Sequence, residues 1–209
     1  MSLNNPTIRA VLFDADGVLQ RTRPGFLDEL GRLCGEPGNV EAFIRDVFQA
    51  EKPCLVGDGD FEALLSSVLE RWGSPVSTED ALRVWTMIDP DTHALGLIRT
   101  LRGNGTTVAL ATNQQRHRAD FMLNGLGYAD EFDHILCSCF LGYAKPSVAY
   151  FTKSVNLLGI PADELLFIDD HESNVESAKV AGLQAHRYHL DEGPEALRNL
   201  LERYGLVVP

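Results

Sequence analysis

Basic residues are scarce in this chain. Lysine and arginine together number 18 against 30 aspartates and glutamates, a formal net charge of -12. That balance excludes sequence-independent nucleic-acid binding, which needs clustered cations to displace phosphate counterions. Cysteine is sparse too: Cys34, Cys54, Cys137 and Cys139, with no Cys-x-x-Cys pair among them. A tetrahedral sulfur site needs a second pair at suitable spacing, so Cys137-Ser138-Cys139 reads as small, mostly apolar side chains at a strand end. No apolar run approaches the roughly 20 residues of a membrane span. No basic-then-apolar leader opens the chain, and Met1-Ser2-Leu3 resembles a cloning remnant. Internal repeats and low-complexity segments are also missing. These absences predict a cytoplasmic protein with free thiols and no nucleic-acid or membrane partner; they say nothing of oligomeric state.

What is present is an ordinary globular composition, 44% apolar and 23% charged over 209 residues, enough for one core with a small insert. The apolar run Ala10-Val11-Leu12-Phe13 predicts a buried strand within residues 8 to 13, and it ends in Asp14-Ala15-Asp16-Gly17. Two more apolar runs end in polar groups. Thr106 to Ala111 leads into Thr112-Asn113, and Leu165 to Ile168 leads into Asp169-Asp170. Lys145-Pro146 lies between them, at the start of a helical stretch. In open α/β sheets, chemistry collects at the carboxyl ends of the strands. Paired carboxylates at such ends are costly unless something cationic meets them.

Between the first strand and Asp89-Pro90-Asp91, apolar positions recur every three or four residues. The sets are Phe26, Leu27, Leu30 and Leu33; Val40, Phe43, Ile44, Val47 and Phe48; Phe61, Leu64, Leu65, Val68, Leu69 and Trp72; and Leu82, Trp85 and Ile88. Glycine- and proline-containing segments separate them, and Ser77 with Asp80 forms a capping pair for the last. The segment therefore predicts a four-helix cap over 21-89, inserted into a core made of 1-20 and 90-209. Within that core Thr92 to Arg102 predicts a helix, and strands and helices then alternate. The fold class is α/β: a doubly wound, mostly parallel sheet with helices on both faces. Trp72 and Trp85 read as cap core. The loop Gly57-Asp58-Gly59-Asp60 reads equally as a specificity element or a turn.

The acid pairs, Thr112-Asn113 and Lys145-Pro146 together identify a family resemblance. Asp14-Ala15-Asp16-Gly17-Val18-Leu19 resembles the first motif of the haloacid dehalogenase-like hydrolases, the aspartate-nucleophile phosphatases. Thr112-Asn113 resembles the second motif, Lys145-Pro146 the third, and Asp169-Asp170 with Asn174 the fourth. The resemblance covers the chain outside 21 to 89 and implies the strand order five-four-one-two-three. Leu141 to Pro146 following Ser138 is similar to the sugar-phosphate branch, near glucose-1-phosphate phosphatases and the phosphatase domain of bifunctional epoxide hydrolases. Two departures stand out: Ser147 follows Lys145-Pro146 where relatives often carry an acid, and Gln20-Arg21-Thr22-Arg23 replaces acidic or small polar residues. Arg21 and Arg23 read as solvated surface arginines ahead of contacts to an anionic substrate.

The residue types suit phosphate monoester hydrolysis, which needs a nucleophile, a proton donor and charge neutralisation. Asp14 attacks phosphorus to give an aspartyl-phosphate, and Asp16 exchanges protons with the leaving group and then water. Thr112, Asn113 and Lys145 meet the phosphate, the two backbone amides entering a helix. Like charges at contact cost on the order of 4 kcal/mol per pair at surface-like dielectric. The four acids therefore call for Mg2+, a hard cation held by carboxylates and substrate phosphate. Asp14, the Asp16 carbonyl and Asp169 are the expected ligands, with Asp170 a ligand or a supporting group. The six histidines are left out of the mechanism. The expected function is magnesium-dependent hydrolysis of a small phosphorylated metabolite. A sugar phosphomutase, a metal-free 2-haloacid dehalogenase and a non-catalytic scaffold are the alternatives.

Overall fold

The computed structural model describes residues 7 to 207; Met1-Ser2-Leu3 and Val208 lie outside them. The elements in chain order are β1 (Ala10–Phe13), β2 (Gln20–Thr22), α1 (Phe26–Arg32), α2 (Val40–Cys54), α3 (Phe61–Arg71), α4 (Thr78–Leu82), β3 (Ile88–Pro90), α5 (Thr92–Gly103), β4 (Thr107–Thr112), α6 (Arg116–Asp120), α7 (Tyr128–Glu131), β5 (His134–Cys137), α8 (Ser138–Leu141), α9 (Val148–Leu158), β6 (Leu165–Asp169), α10 (Glu172–Val180), β7 (Gln184–Arg187) and α11 (Pro194–Arg203). Five parallel strands form the main sheet in the order β5-β4-β1-β6-β7. Counting only these core strands along the chain, this is the expected five-four-one-two-three arrangement.

β1 lies at the centre, paired on one side with β4 and on the other with β6. Every residue of β1 is buried, as the run without polar alternation requires. Val11 and Phe13 join one apolar layer with Ile98, Leu101 and Leu197. Ala10 and Leu12 join the opposite layer with Tyr150, Phe151 and Val175. The register brings Phe13 level with Leu110 and Ile168, so the chain segments after all three strands emerge at one edge.

The helices between β2 and β3 enclose a third apolar cluster containing Phe43, Val47, Leu65, Leu69 and Trp85. Trp85 is 2% exposed and packs edge-on to Phe61; Trp72 packs edge-on to Phe43. Ser77 caps α4, its hydroxyl accepting from the Asp80 amide and donating to the Asp80 carboxylate. Two expectations fail locally. Leu27 is 59% exposed although its spacing places it with Leu30. The last helix ends earlier than expected: α4 passes into a 3-10 turn over Arg83–Thr86, and Ile88 lies in β3, paired with Thr22. A strand partner distant in sequence overrides the local spacing there.

Candidate active site

The first acid pair sits in the turn that leaves β1. The Asp14 amide donates to the Ile168 carbonyl at 2.9 Å, which holds the turn against β6. Asp14 Oδ1 accepts from the Ala15 amide at 2.7 Å and lies 2.8 Å from Lys145 Nζ. Gly17 adopts φ +78°, and a Cβ there would stand 2.6 Å from Asp170 Oδ2. Only glycine satisfies both the left-handed backbone and that approach.

Lys145 is the cation that the acids require. Its Nζ also donates to Asp169 Oδ2 at 2.7 Å, and the side chain is almost wholly buried. The lysine loop is fixed from β4. The Asn113 side-chain amide donates to the Lys145 carbonyl at 2.8 Å and accepts from the Lys145 amide at 2.9 Å. Ser147 caps α9, its hydroxyl accepting from the Ala149 amide. Thr112 ends β4 and is buried, its hydroxyl accepting from Gln114 Nε2 at 3.1 Å. The expectation that Thr112 and Asn113 enter a helix is corrected. Three residues separate Thr112 from α6, whose cap is Gln115.

The two acids after β6 have different surroundings. Asp169 is fully buried, and both its oxygens are engaged by Lys145, Asn174 Nδ2 and the His171 amide. Asp170 faces the cavity, and its buried Oδ1 has no hydrogen-bond partner among the described residues. Asp14, Asp169 and Asp170 each bring a carboxylate oxygen within 4.8 Å of the others. An unpartnered buried oxygen beside two more carboxylates fits a hard divalent cation.

The electrostatics follow the burial. Desolvation raises the Asp14 carboxyl to about 8, against the opposing pull of Lys145. Burial also opposes ionisation of Asp169, but Lys145, the His171 amide and Asn174 outweigh it and hold that carboxyl below its ordinary value. Asp170 is raised, chiefly by burial.

Asp16 has partners that its sequence position did not announce. Arg118 grips it bidentately, Nη1 to Oδ2 at 2.6 Å and Nη2 to Oδ1 at 2.8 Å. Gln20 and Gln114 each add a bond at 2.9 Å. Burial would raise this carboxyl, but Arg118 and the two glutamines bring it to about 2. An arginine in Arg116-His117-Arg118 reads as solvated surface charge. No local pattern in the sequence announces the pairing, because Asp16 and Arg118 lie 102 residues apart.

These groups line one cavity of about 500 Å³, with Asp14, Asp16, Thr112, Asn113, Lys145 and Asp170 on its wall. Arg21 reaches the same wall while paired with Asp191 at 2.6 Å. Arg23 instead pairs with Asp89 at 2.7 Å. The Gly57 to Asp60 loop borders a separate cavity of about 460 Å³ between α2, α3 and α6. Gly57 there comes so close to the Cys139 carbonyl that a Cβ would stand 2.5 Å from it. Cys137 and Cys139 are free and buried. No helix among the described residues is long and apolar enough to cross a membrane.

Comparison with known proteins agrees with this geometry. A family model described as a haloacid dehalogenase-like hydrolase matches residues 8–182. A phosphoglycolate phosphatase of Rhodospirillum rubrum is 27% identical over 191 residues, spanning 84% of this chain and 77% of that protein. One from Neisseria gonorrhoeae is 30% identical over 189 residues, with the same coverage of 84% and 77%. Among solved structures, a HAD-family enzyme of Bacteroides thetaiotaomicron in complex with magnesium and inorganic phosphate superposes with a TM-score of 0.78. It is 22% identical and covers 91% of this chain and 98% of its own.

Proposed function

The chain belongs to the haloacid dehalogenase-like hydrolases, and on that premise we propose that it is a magnesium-dependent phosphatase of small phosphate monoesters, with Asp14 as nucleophile. One observation carries the reading. A buried lysine joins Asp14 to Asp169 while Asp170, with an unpartnered buried oxygen, opens onto the same cavity. Asp14, the Asp16 backbone carbonyl and Asp170 would hold the cation, with Asp169 orienting Lys145 behind them. Bound there, magnesium would neutralise the acids and the phosphoryl oxygens.

The chain's own groups then act in order. Thr112 and Lys145 donate to the phosphoryl oxygens, and Asn113 keeps the lysine loop in place. An Asp14 carboxylate oxygen bonds to phosphorus as the bond to the leaving oxygen breaks, and a proton on Asp16 passes to that oxygen. Water then attacks phosphorus and gives its proton to Asp16, the bond to Asp14 breaks, and phosphate leaves. Asp16 is ionised in the substrate-free arrangement. A phosphate dianion beside it opposes that charge and raises its affinity for the proton it must deliver.

We read residues 21–89 as a cap over a catalytic core formed by 1–20 and 90–209. A cavity of about 500 Å³ suits a metabolite rather than a polymer. Phosphoglycolate heads the test panel because two relatives are named for it, with sugar phosphates beside it. The experiment is hydrolysis of that panel and of 4-nitrophenyl phosphate, with magnesium and after exhaustive chelation. Turnover that needs magnesium and favours small esters supports the reading. Undiminished turnover in metal-free protein, or efficient dephosphorylation of a folded phosphoprotein, refutes it.

A further inference from the structure

We propose that Arg118 is a positioning residue for the proton-transfer group, fixing the Asp16 carboxylate in the cavity wall through a bidentate grip anchored on the helical unit. The inference rests on the assignment of Asp16 made above. A carboxylate on a turn has a broad terminal torsion and no preferred orientation of its own. Here both Asp16 oxygens are tied to one planar guanidinium at 2.6 and 2.8 Å, a geometry that sets the plane of the carboxylate as well as its place.

The guanidinium is itself held. Nη1 also donates to Gln114 Oε1 at 2.6 Å, and Nε donates to the Trp85 carbonyl at 3.2 Å. Trp85 belongs to the apolar core of the helices between β2 and β3, and its indole donates to Glu51 Oε1 at 2.8 Å. One side chain on α6 thus spans from that unit to the turn after β1. The Asp16 side chain is 39% exposed and lies on the cavity wall, while that of Arg118 is 12% exposed and is not part of that wall. Misplacing a reacting group by about 1 Å can cost ~100-fold in rate.

General acid assistance matters most for a poor leaving group, so the test compares phenyl phosphate with 4-nitrophenyl phosphate, in the presence of magnesium. In Arg118→Met, kcat/KM for phenyl phosphate should fall about 100-fold and that for 4-nitrophenyl phosphate less than about 5-fold, with KM little changed. Asp16→Asn should discriminate in the same direction. The double variant should be no worse than Asp16→Asn within about 3-fold, because both changes remove one function. Arg118→Lys keeps the charge and loses the fork, so it should retain a selective deficit of about tenfold. It carries the comparison if the methionine variant does not fold. An equal fall on both substrates in the Arg118 variants, beside a discriminating Asp16→Asn, overturns the inference alone. A lysine variant with wild-type kinetics does the same. An Asp16→Asn variant that does not discriminate overturns the assignment of Asp16 and the inference with it.

Discussion

Replacing Lys145 with methionine should destabilise the metal-free protein strongly, and magnesium should restore much of the loss. The lysine side chain is 1% exposed and lies 2.8 Å from Asp14 and 2.7 Å from Asp169. In the metal-free protein burial raises the Asp14 carboxyl to about 8 against the pull of Lys145, so the lysine answers chiefly to Asp169. Methionine keeps the volume and leaves Asp169 as a fully buried carboxylate served only by Asn174 and the His171 amide. Removing one partner of a buried pair costs about 3–5 kcal/mol. For a chain of this size each kcal/mol moves the melting temperature by about 2–4 °C, so a fall of roughly 6–20 °C is expected at pH 7.5.

The pH dependence has a definite sign. Without the lysine, the folded-state pKa of Asp169 rises above its unfolded value. The deficit then grows as pH climbs past the unfolded carboxylate range and shrinks as pH falls towards it. Wild type carries a similar but smaller burden from Asp14. Its folded value of about 8 against an ordinary 3.8 costs stability progressively between those two values. A divalent cation at about 100 times its dissociation constant contributes about 2.7 kcal/mol by mass action. The assay is thermal unfolding of both proteins between pH 5 and pH 8, chelated and with magnesium. A melting temperature within 2 °C of wild type at pH 7.5 in chelator (a threshold of about 1 kcal/mol) would refute the reasoning, as would a deficit that does not shrink at pH 5.

Two further outcomes follow from the turn after β1. Asp14→Asn should retain the fold and lose turnover, and rapid acid quench should trap covalent phosphate on wild type but not on the variant; wild-type turnover would exclude Asp14 as nucleophile. Gly17→Ala should lose about 1–3 kcal/mol from the left-handed backbone alone, and its Cβ, 2.6 Å from Asp170 Oδ2, should weaken magnesium binding measured by calorimetry. Unchanged affinity would show that Asp170 does not hold the cation.

The parts legible in the sequence were those written in short-range pattern. Apolar runs without polar alternation marked β1, β4 and β6, and the polar groups at their ends were brought to one cavity, apart from the wholly buried Asp169. Parallel pairing sends successive strand ends to the same edge, so strand-end residues sum into one list. What was not legible depended on distant partners. Ile88 follows helical spacing and is a strand residue because Thr22 lies beside it. Leu27 shares the spacing of Leu30, but no element among the described residues covers it. Arg118 carried no signal in the sequence, and its meaning came from Asp16, whose place near α6 is set by the sheet. The neighbouring acids Asp169 and Asp170 are alike in the sequence. Only the direction of the chain leaving β6 separates the one that meets Lys145 from the one that meets the cavity.

The paired strands β2 and β3 have a consequence for how this chain tolerates change. Thr22 and Ile88 are register partners, so the polypeptide departs from the sheet and returns to it at a single stem. A segment closed by such a stem places almost no demand on its own length, since the entropy of closing a longer loop rises only by about 0.6 kcal/mol per doubling. The stem therefore behaves as a splice junction. Helices can be lengthened or exchanged between its two strands while Asp14, Thr112, Lys145 and Asp170 keep their places, provided the Trp85 carbonyl that anchors Arg118 beside Asp16 is kept.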